Sequence, residues 1–128
     1  MPFDISGPHP DSEADDRFRV TADVAPEESL LRLTGELDHD TAPALREALA
    51  RCEEARSARI LVDCSGLVFC DSTGLNVLLE ARRDASPRGA GVALVGMPGT
   101  VARIFEITGA DTLFDRYASL DEARSTRS

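Results

Sequence analysis

A serine that follows an acid and precedes Thr-Gly can serve two kinds of chemistry, and Asp71-Ser72-Thr73-Gly74 is such a place. If a helix begins here, a hydroxyl at its head can cap the free amides of the first turn. The same hydroxyl is exposed, and a phosphoryl group transferred to it would meet those amides and the positive end of the helix dipole. Gly74 has no Cβ, which lets the backbone approach a phosphate oxygen closely. Spacing alone does not choose, because Asp71 or Ser72 acting as a plain N-cap satisfies the pattern equally well. Asp38, in the connection Gly35-Glu36-Leu37-Asp38-His39-Asp40, is the second candidate. It reads either as a solvated loop acid or as a neighbour of Ser72, if loops that follow parallel strands gather at one end of a sheet. His39 and Asp40 read as exposed loop residues.

Other reaction classes fare worse. Every basic residue is Arg, so a P-loop lysine, a Schiff base and a lysine general base are all excluded. A hydrolase with Ser72 as nucleophile and His39 as base would want G-x-S-x-G, and Cys70 stands at the first glycine position. Phosphorylation of Asp63, at the end of a buried strand, resembles receiver domains, which also use a lysine. The three cysteines, Cys52, Cys64 and Cys70, have no metal-type or CxxC spacing and read as buried thiols of a reducing compartment. Cys70, nearest the turn, is the one that could be reactive.

A net charge of −9 argues against nonspecific binding to nucleic acid or an anionic membrane. No apolar run approaches the ~20 residues that span a bilayer, and the N-terminus lacks the basic and apolar regions of a signal peptide. A cytoplasmic location is expected. The 128 residues suit one domain with its own core. Residues 1–16, rich in Pro, Asp, Ser and Gly, read as a disordered acidic tail; residues 17–124 form the domain and 125–128 a short C-terminal tail.

The elements that must position Ser72 and Asp38 follow from periodicity. Phe18, Val20, Ala22 and Val24 alternate with polar residues, which predicts a half-buried strand, and Leu30–Thr34 pairs with it as an antiparallel hairpin. Leu45, Ala48, Leu49 and Cys52 make the apolar stripe of a helix that Thr41 or Asp40 can cap. Ile60–Val62 reads as a short buried strand, followed by a turn-rich connection to the Ser72 helix with its stripe of Leu75, Leu78 and Leu79. Val92–Val95 is the next buried strand, and a helix through Val101, Ile104, Phe105 and Thr108 stops at Gly109. Leu113-Phe114 is a short final strand, and Ser119-Leu120-Asp121-Glu122 opens a last helix. The order β-β-α-β-α-β-α-β-α predicts an α/β fold: one mixed sheet with an opening antiparallel hairpin, a largely parallel centre and helices packed on it.

Three motifs in order, Leu33-Thr34-Gly35-Glu36-Leu37-Asp38, Asp71-Ser72-Thr73-Gly74-Leu75 and Ile104-Phe105-Glu106-Ile107-Thr108-Gly109, carry a resemblance. From Leu31 to Ala118 the chain is similar to the bacterial anti-sigma factor antagonists, the phospho-switch members of the STAS domain family. The resemblance implies a single STAS domain without catalysis of its own. It makes Ser72 the phosphorylated residue and puts Asp38 near it, engaging the kinase partner. Asp71, Thr73, Gly74 and Asn76 would complete the partner surface. The implied partners are an anti-sigma factor that is also a serine kinase, and a serine phosphatase. The unphosphorylated form would bind the anti-sigma factor and release a sigma factor. No cofactor belongs to this chain, since ATP and magnesium would be held by the kinase, and no metal is expected. Asn76, where many relatives carry Gly, and Cys70, in place of a larger apolar residue, bear on partner identity. The alternative within the same fold is a STAS module that senses a ligand or scaffolds a complex without being phosphorylated.

Overall fold

The computed structural model describes residues 2–4 and 17–125. The expected hairpin is present. β2 (Phe18–Asp23) buries Phe18, Val20 and Ala22 and pairs antiparallel with β3 (Ser29–Leu37), with Val20 opposite Leu33. The buried Ser29 and Ser57 hydroxyls are 2.7 Å apart and close the base of the hairpin onto the following helix–strand turn. Within the stretch read as a disordered tail, Pro2–Asp4 forms a strand, β1, antiparallel to β2. That corrects the expectation for these residues: free strand edges recruit extended segments whatever their composition. The rest of the expected N-terminal tail, and residues 126–128 of the C-terminal one, lie outside the described residues, while Ser125 still belongs to a helix.

After α1 (Ala42–Glu54) comes β4 (Arg59–Cys70), the longest strand and the main departure from the sequence reading. The stretch expected to be a turn-rich connection continues as strand to Cys70, parallel to β3 throughout. Asp63, Ser65 and Gly66 break the hydrophobic pattern, and two register shifts absorb the mismatch. Arg32 to Thr34 faces Asp63 to Gly66, and Gly35 to Glu36 faces Leu67 to Phe69, so each shift puts one extra residue into β4. α2 (Ser72–Ala85), β5 (Gly91–Val95) and α3 (Gly99–Thr108) follow as expected, and Gly109 ends α3 at φ +80°. The final strand, β6 (Asp115–Tyr117), lies later than the expected Leu113-Phe114, because Ala110–Leu113 winds into a 3-10 turn that buries Ala110 and stacks Phe114 edge-on to Phe105. The last helix, α4 (Leu120–Ser125), is capped by Ser119, whose Oγ accepts the Glu122 N–H at 3.1 Å.

Among the described residues six strands lie in chain order, β1 to β6, with β3 to β6 parallel. Right-handed crossovers that always step the same way put α1, α2 and α3 on one face of the sheet. Leu31, Leu33, Leu37, Val62, Cys64 and Leu67 pack there against Leu45, Leu49, Leu75, Leu78 and Phe105. α4 covers part of the other face, where Ala123 meets Leu61, Ala93 and Val95.

Candidate functional site

β3 and β4 are parallel neighbours that end in register at Leu37 and Cys70, so the loop after each starts at the same end of the sheet. The Asp71 N–H donates to the Leu37 carbonyl at 3.1 Å and ties the two loop starts together. This brings the Asp38 loop and the Ser72 turn to one place.

Asp71 is the N-cap of α2, with extended backbone (φ −101°, ψ −175°), and its Oδ1 accepts the Gly74 N–H at 3.1 Å. Ser72 is therefore the first helical residue and is exposed, its hydroxyl not needed for capping. The amides of Ser72 and Thr73 have no acceptor within the helix. Asn76, also exposed, lies one turn beyond Ser72 on the same side, and Thr73 is half-buried. Gly74 differs from the sequence reading: it is buried rather than facing a partner. A Cβ at Gly74 would stand 2.6 Å from Leu37 Cγ and 3.1 Å from Cys70 Sγ, so the missing side chain lets α2 settle onto β3 and β4. Its N–H is already taken by Asp71.

Asp38 is held from three directions. Its Oδ2 accepts Arg17 Nη1 at 2.7 Å, and its Oδ1 accepts the N–H groups of Asp40 at 3.0 Å and Thr41 at 3.2 Å. Thr41 takes the N-cap position of α1, one of the two residues expected there, but its hydroxyl turns back to accept the Asp38 N–H at 2.8 Å. The Arg17 guanidinium, followed by these amides, holds the Asp38 carboxyl below the usual carboxylate range. Arg17 also reaches Glu36 at 3.1 Å and Asp40 at 3.5 Å, while His39 is exposed. Sequence reading missed Arg17 as a site residue. The signal was available in the hairpin register, which pairs Phe18 with Gly35 and so puts the residue before Phe18 beside Glu36. Gly35 makes the approach possible: it adopts φ +94°, and a Cβ there would lie 1.9 Å from the Arg17 carbonyl oxygen.

Cys70 is buried, and burial followed by the nearby Asp71 charge pushes its thiol up to about 12, so the reactivity considered for it is not supported. Cys52 and Cys64 are buried free thiols as expected. The Asp63 carboxylate accepts the Ser65 N–H at 3.0 Å and the Ser65 hydroxyl at 2.7 Å. A groove of about 560 Å³ between α1 and α2, floored by Leu49, Ile60 and Val77, contains neither Ser72 nor Asp38. Among the described residues no group of His, Cys, Asp or Glu is arranged to hold a metal ion, and no helix is long and apolar enough to cross a membrane.

Residues 20–115 match the family model described as Mlab, STAS domain. The anti-sigma-B factor antagonist of Listeria monocytogenes is 31% identical over 83 residues, which are 65% of this chain and 73% of the relative. An anti-sigma factor antagonist from Mycobacterium paratuberculosis superposes with a TM-score of 0.77 at 26% identity, over 91% of this chain and 95% of the other. The anti-sigma factor antagonist SpoIIAA in its unphosphorylated form shares the fold, with a TM-score of 0.71 at 24% identity over 81% of this chain and 91% of SpoIIAA. The chain belongs to the STAS domain family, among whose members are these anti-sigma factor antagonists.

Proposed function

We propose that this chain is an anti-sigma factor antagonist of the cytoplasm whose binding is switched by phosphorylation of Ser72. The observation that carries the proposal is the exposed Ser72 hydroxyl at the head of α2, which Asp71 has relieved of capping, beside the Asp38 loop. The unphosphorylated form binds an anti-sigma factor that is also a serine kinase, and so frees a sigma factor. The kinase, holding ATP and magnesium, transfers a phosphoryl group to Ser72 Oγ, and a serine phosphatase removes it. Asp38, Asp71, Thr73 and Asn76 form the polar part of the surface read by the partner.

The electrostatics favour a switch that acts on the complex. Phosphate adds about −1.5 to −2 charge at neutral pH. At a helix N-terminus that charge is tolerated, with a gain of about 0.3–1 kcal/mol. Glu36, Asp38, Asp40 and Asp71 against Arg17 already make this end acidic. A partner that covers Ser72 must then desolvate a dianion among carboxylates. A thousandfold loss of affinity needs about 4 kcal/mol, which one unpaired buried charge can supply.

The test is incubation with purified anti-sigma factor kinases from the same genome and ATP, read by intact mass and by binding before and after. Wild type is expected to gain one phosphoryl group and Ser72→Ala none. Ser72→Ala is expected to bind constitutively and Ser72→Glu weakly. Phosphate retained on Ser72→Ala would move the site, with Thr73 the first place to look. A wild type that binds a kinase yet is never phosphorylated would favour the alternative, a STAS module acting as a sensor or scaffold.

A further inference from the structure

The second register shift of β4 sits at Val68, the extra residue between Leu67, paired with Gly35, and Phe69, paired with Glu36. A bulge re-aims side chains, and here the result is two adjacent large apolar residues in solvent: Val68 is 66% exposed and Phe69 48%. Phe69 shares a face with its ladder partner Glu36, the face opposite α1 and α2. α4 packs on that face at Leu61, Ala93 and Val95, near the other end of β4, and leaves Phe69 uncovered.

Around the pair acids predominate, four of them against Arg17 and Arg19, the latter opposite Thr34 on the face of Phe69. Glu36, Asp38, Asp40 and Asp71 lie at this end of the sheet, with Arg17 as the cation bound to the first three. Phe69 precedes Ser72 by three residues, a span of at most ~10 Å along the chain. A standard interface of ~800 Å² per partner is a disc of roughly 16 Å radius, so Val68 and Phe69 are within reach of a protein centred on Ser72.

We infer that Val68 and Phe69 are the apolar anchor of the partner interface, seated in an apolar cleft of the anti-sigma factor that is rimmed by Arg or Lys side chains. This rests on the proposed function, since it deepens the description of the same partner surface. The acidic residues at this end select a basic rim, and the exposed pair fills the centre that such a rim surrounds. Apolar centres inside polar rims are where binding energy concentrates.

The experiment uses the full chain and purified anti-sigma factor kinases of the same genome, with ADP bound, and calorimetry as the readout. Variants are Val68→Ser, Phe69→Ser and Phe69→Leu, with Ile107→Ser as control, since Ile107 is 77% exposed and lies on α3 away from this end. Phe69→Ser is expected to weaken binding about tenfold or more, Phe69→Leu to retain most of it, and Ile107→Ser to leave it within twofold. Thermal unfolding should move little in all four, because the side chains are exposed. If Ser72→Glu weakens binding while Val68→Ser and Phe69→Ser bind as wild type does, this inference fails and the phospho-switch stands. If wild type binds none of the kinases, both fall. A wild type that dimerises where Phe69→Ser is monomeric would make the pair a contact between two copies of this chain, and would also overturn the inference.

Discussion

Asp38 and Arg17 set the chemistry of the candidate site at the level of single side chains. Because the guanidinium and two backbone amides favour the ionised carboxylate, Asp38 binds its proton less readily folded than unfolded. The sign follows: the stabilisation is complete above the unfolded value near 3.8 and is lost as pH falls through the lower folded value. Arg17→Ala is expected to return the Asp38 carboxyl towards its ordinary range, seen as an upward shift in its NMR titration midpoint, and to shrink the acid-side loss of stability. An unchanged midpoint would mean that the amides of Asp40 and Thr41 dominate. The cysteines give a second expectation. With Cys64 and Cys70 pushed up by burial, Cys70 to about 12, a thiol reagent at pH 8 should leave both unmodified in the folded protein. All three thiols should react in denaturant. Rapid modification of Cys70 in the folded protein would show that the turn before Ser72 opens.

The element that decides the geometry is α2, and its seat on β3 and β4 depends on Gly74. A methyl group there would collide with Leu37, a buried residue with no room to retreat. Gly74→Ala is therefore expected to cost about 1–3 kcal/mol by overpacking. Asp71→Ala should cost about 1 kcal/mol through the lost cap. Denaturant unfolding of the two variants measures both, and equal stability of Gly74→Ala and wild type would mean that α2 can lift off the sheet. The helices and the hairpin were legible in the sequence because Leu45, Ala48, Leu49 and Cys52, or Phe18, Val20 and Ala22, carry clear periods of their own. The shared end of the loops after β3 and β4 was legible too, since parallel neighbours require it. The continuation of β4 through Asp63, Ser65 and Gly66 was hidden, because its warrant lies in the partner strand: Thr34 and Glu36 supply the ladder that the local pattern does not announce. The strand Pro2–Asp4 was hidden for the same reason, since its meaning lies only in its pairing with β2, whereas Arg17 follows from the register of β2 on β3.

For the whole molecule, the question is whether phosphorylation would be felt away from α2. The sheet is continuous from β1 to β6, and the core on its helical face joins residues of β2 to β5 with α1, α2 and α3. A close-packed interior of this kind resists graded deformation. Ser72 is outside that core: it is exposed, its hydroxyl makes no hydrogen bond to another of the described residues, and Asp71 holds the helix start without it. Adding a phosphate should therefore leave the packing of Leu75, Leu78 and Leu37 unchanged and alter only the field at one end of the sheet. The expected outcome is a phosphorylated protein whose amide spectra shift near residues 38–41 and 69–76 and nowhere else. Its unfolding free energy should stay within about 1 kcal/mol of the unmodified form, the scale of a charge at a helix N-terminus. Amide spectra and denaturant unfolding of the two forms measure this directly. Shifts that spread to β5, β6 or α4 would mean that the modification moves the fold, and that a partner reads a changed shape instead of a changed charge.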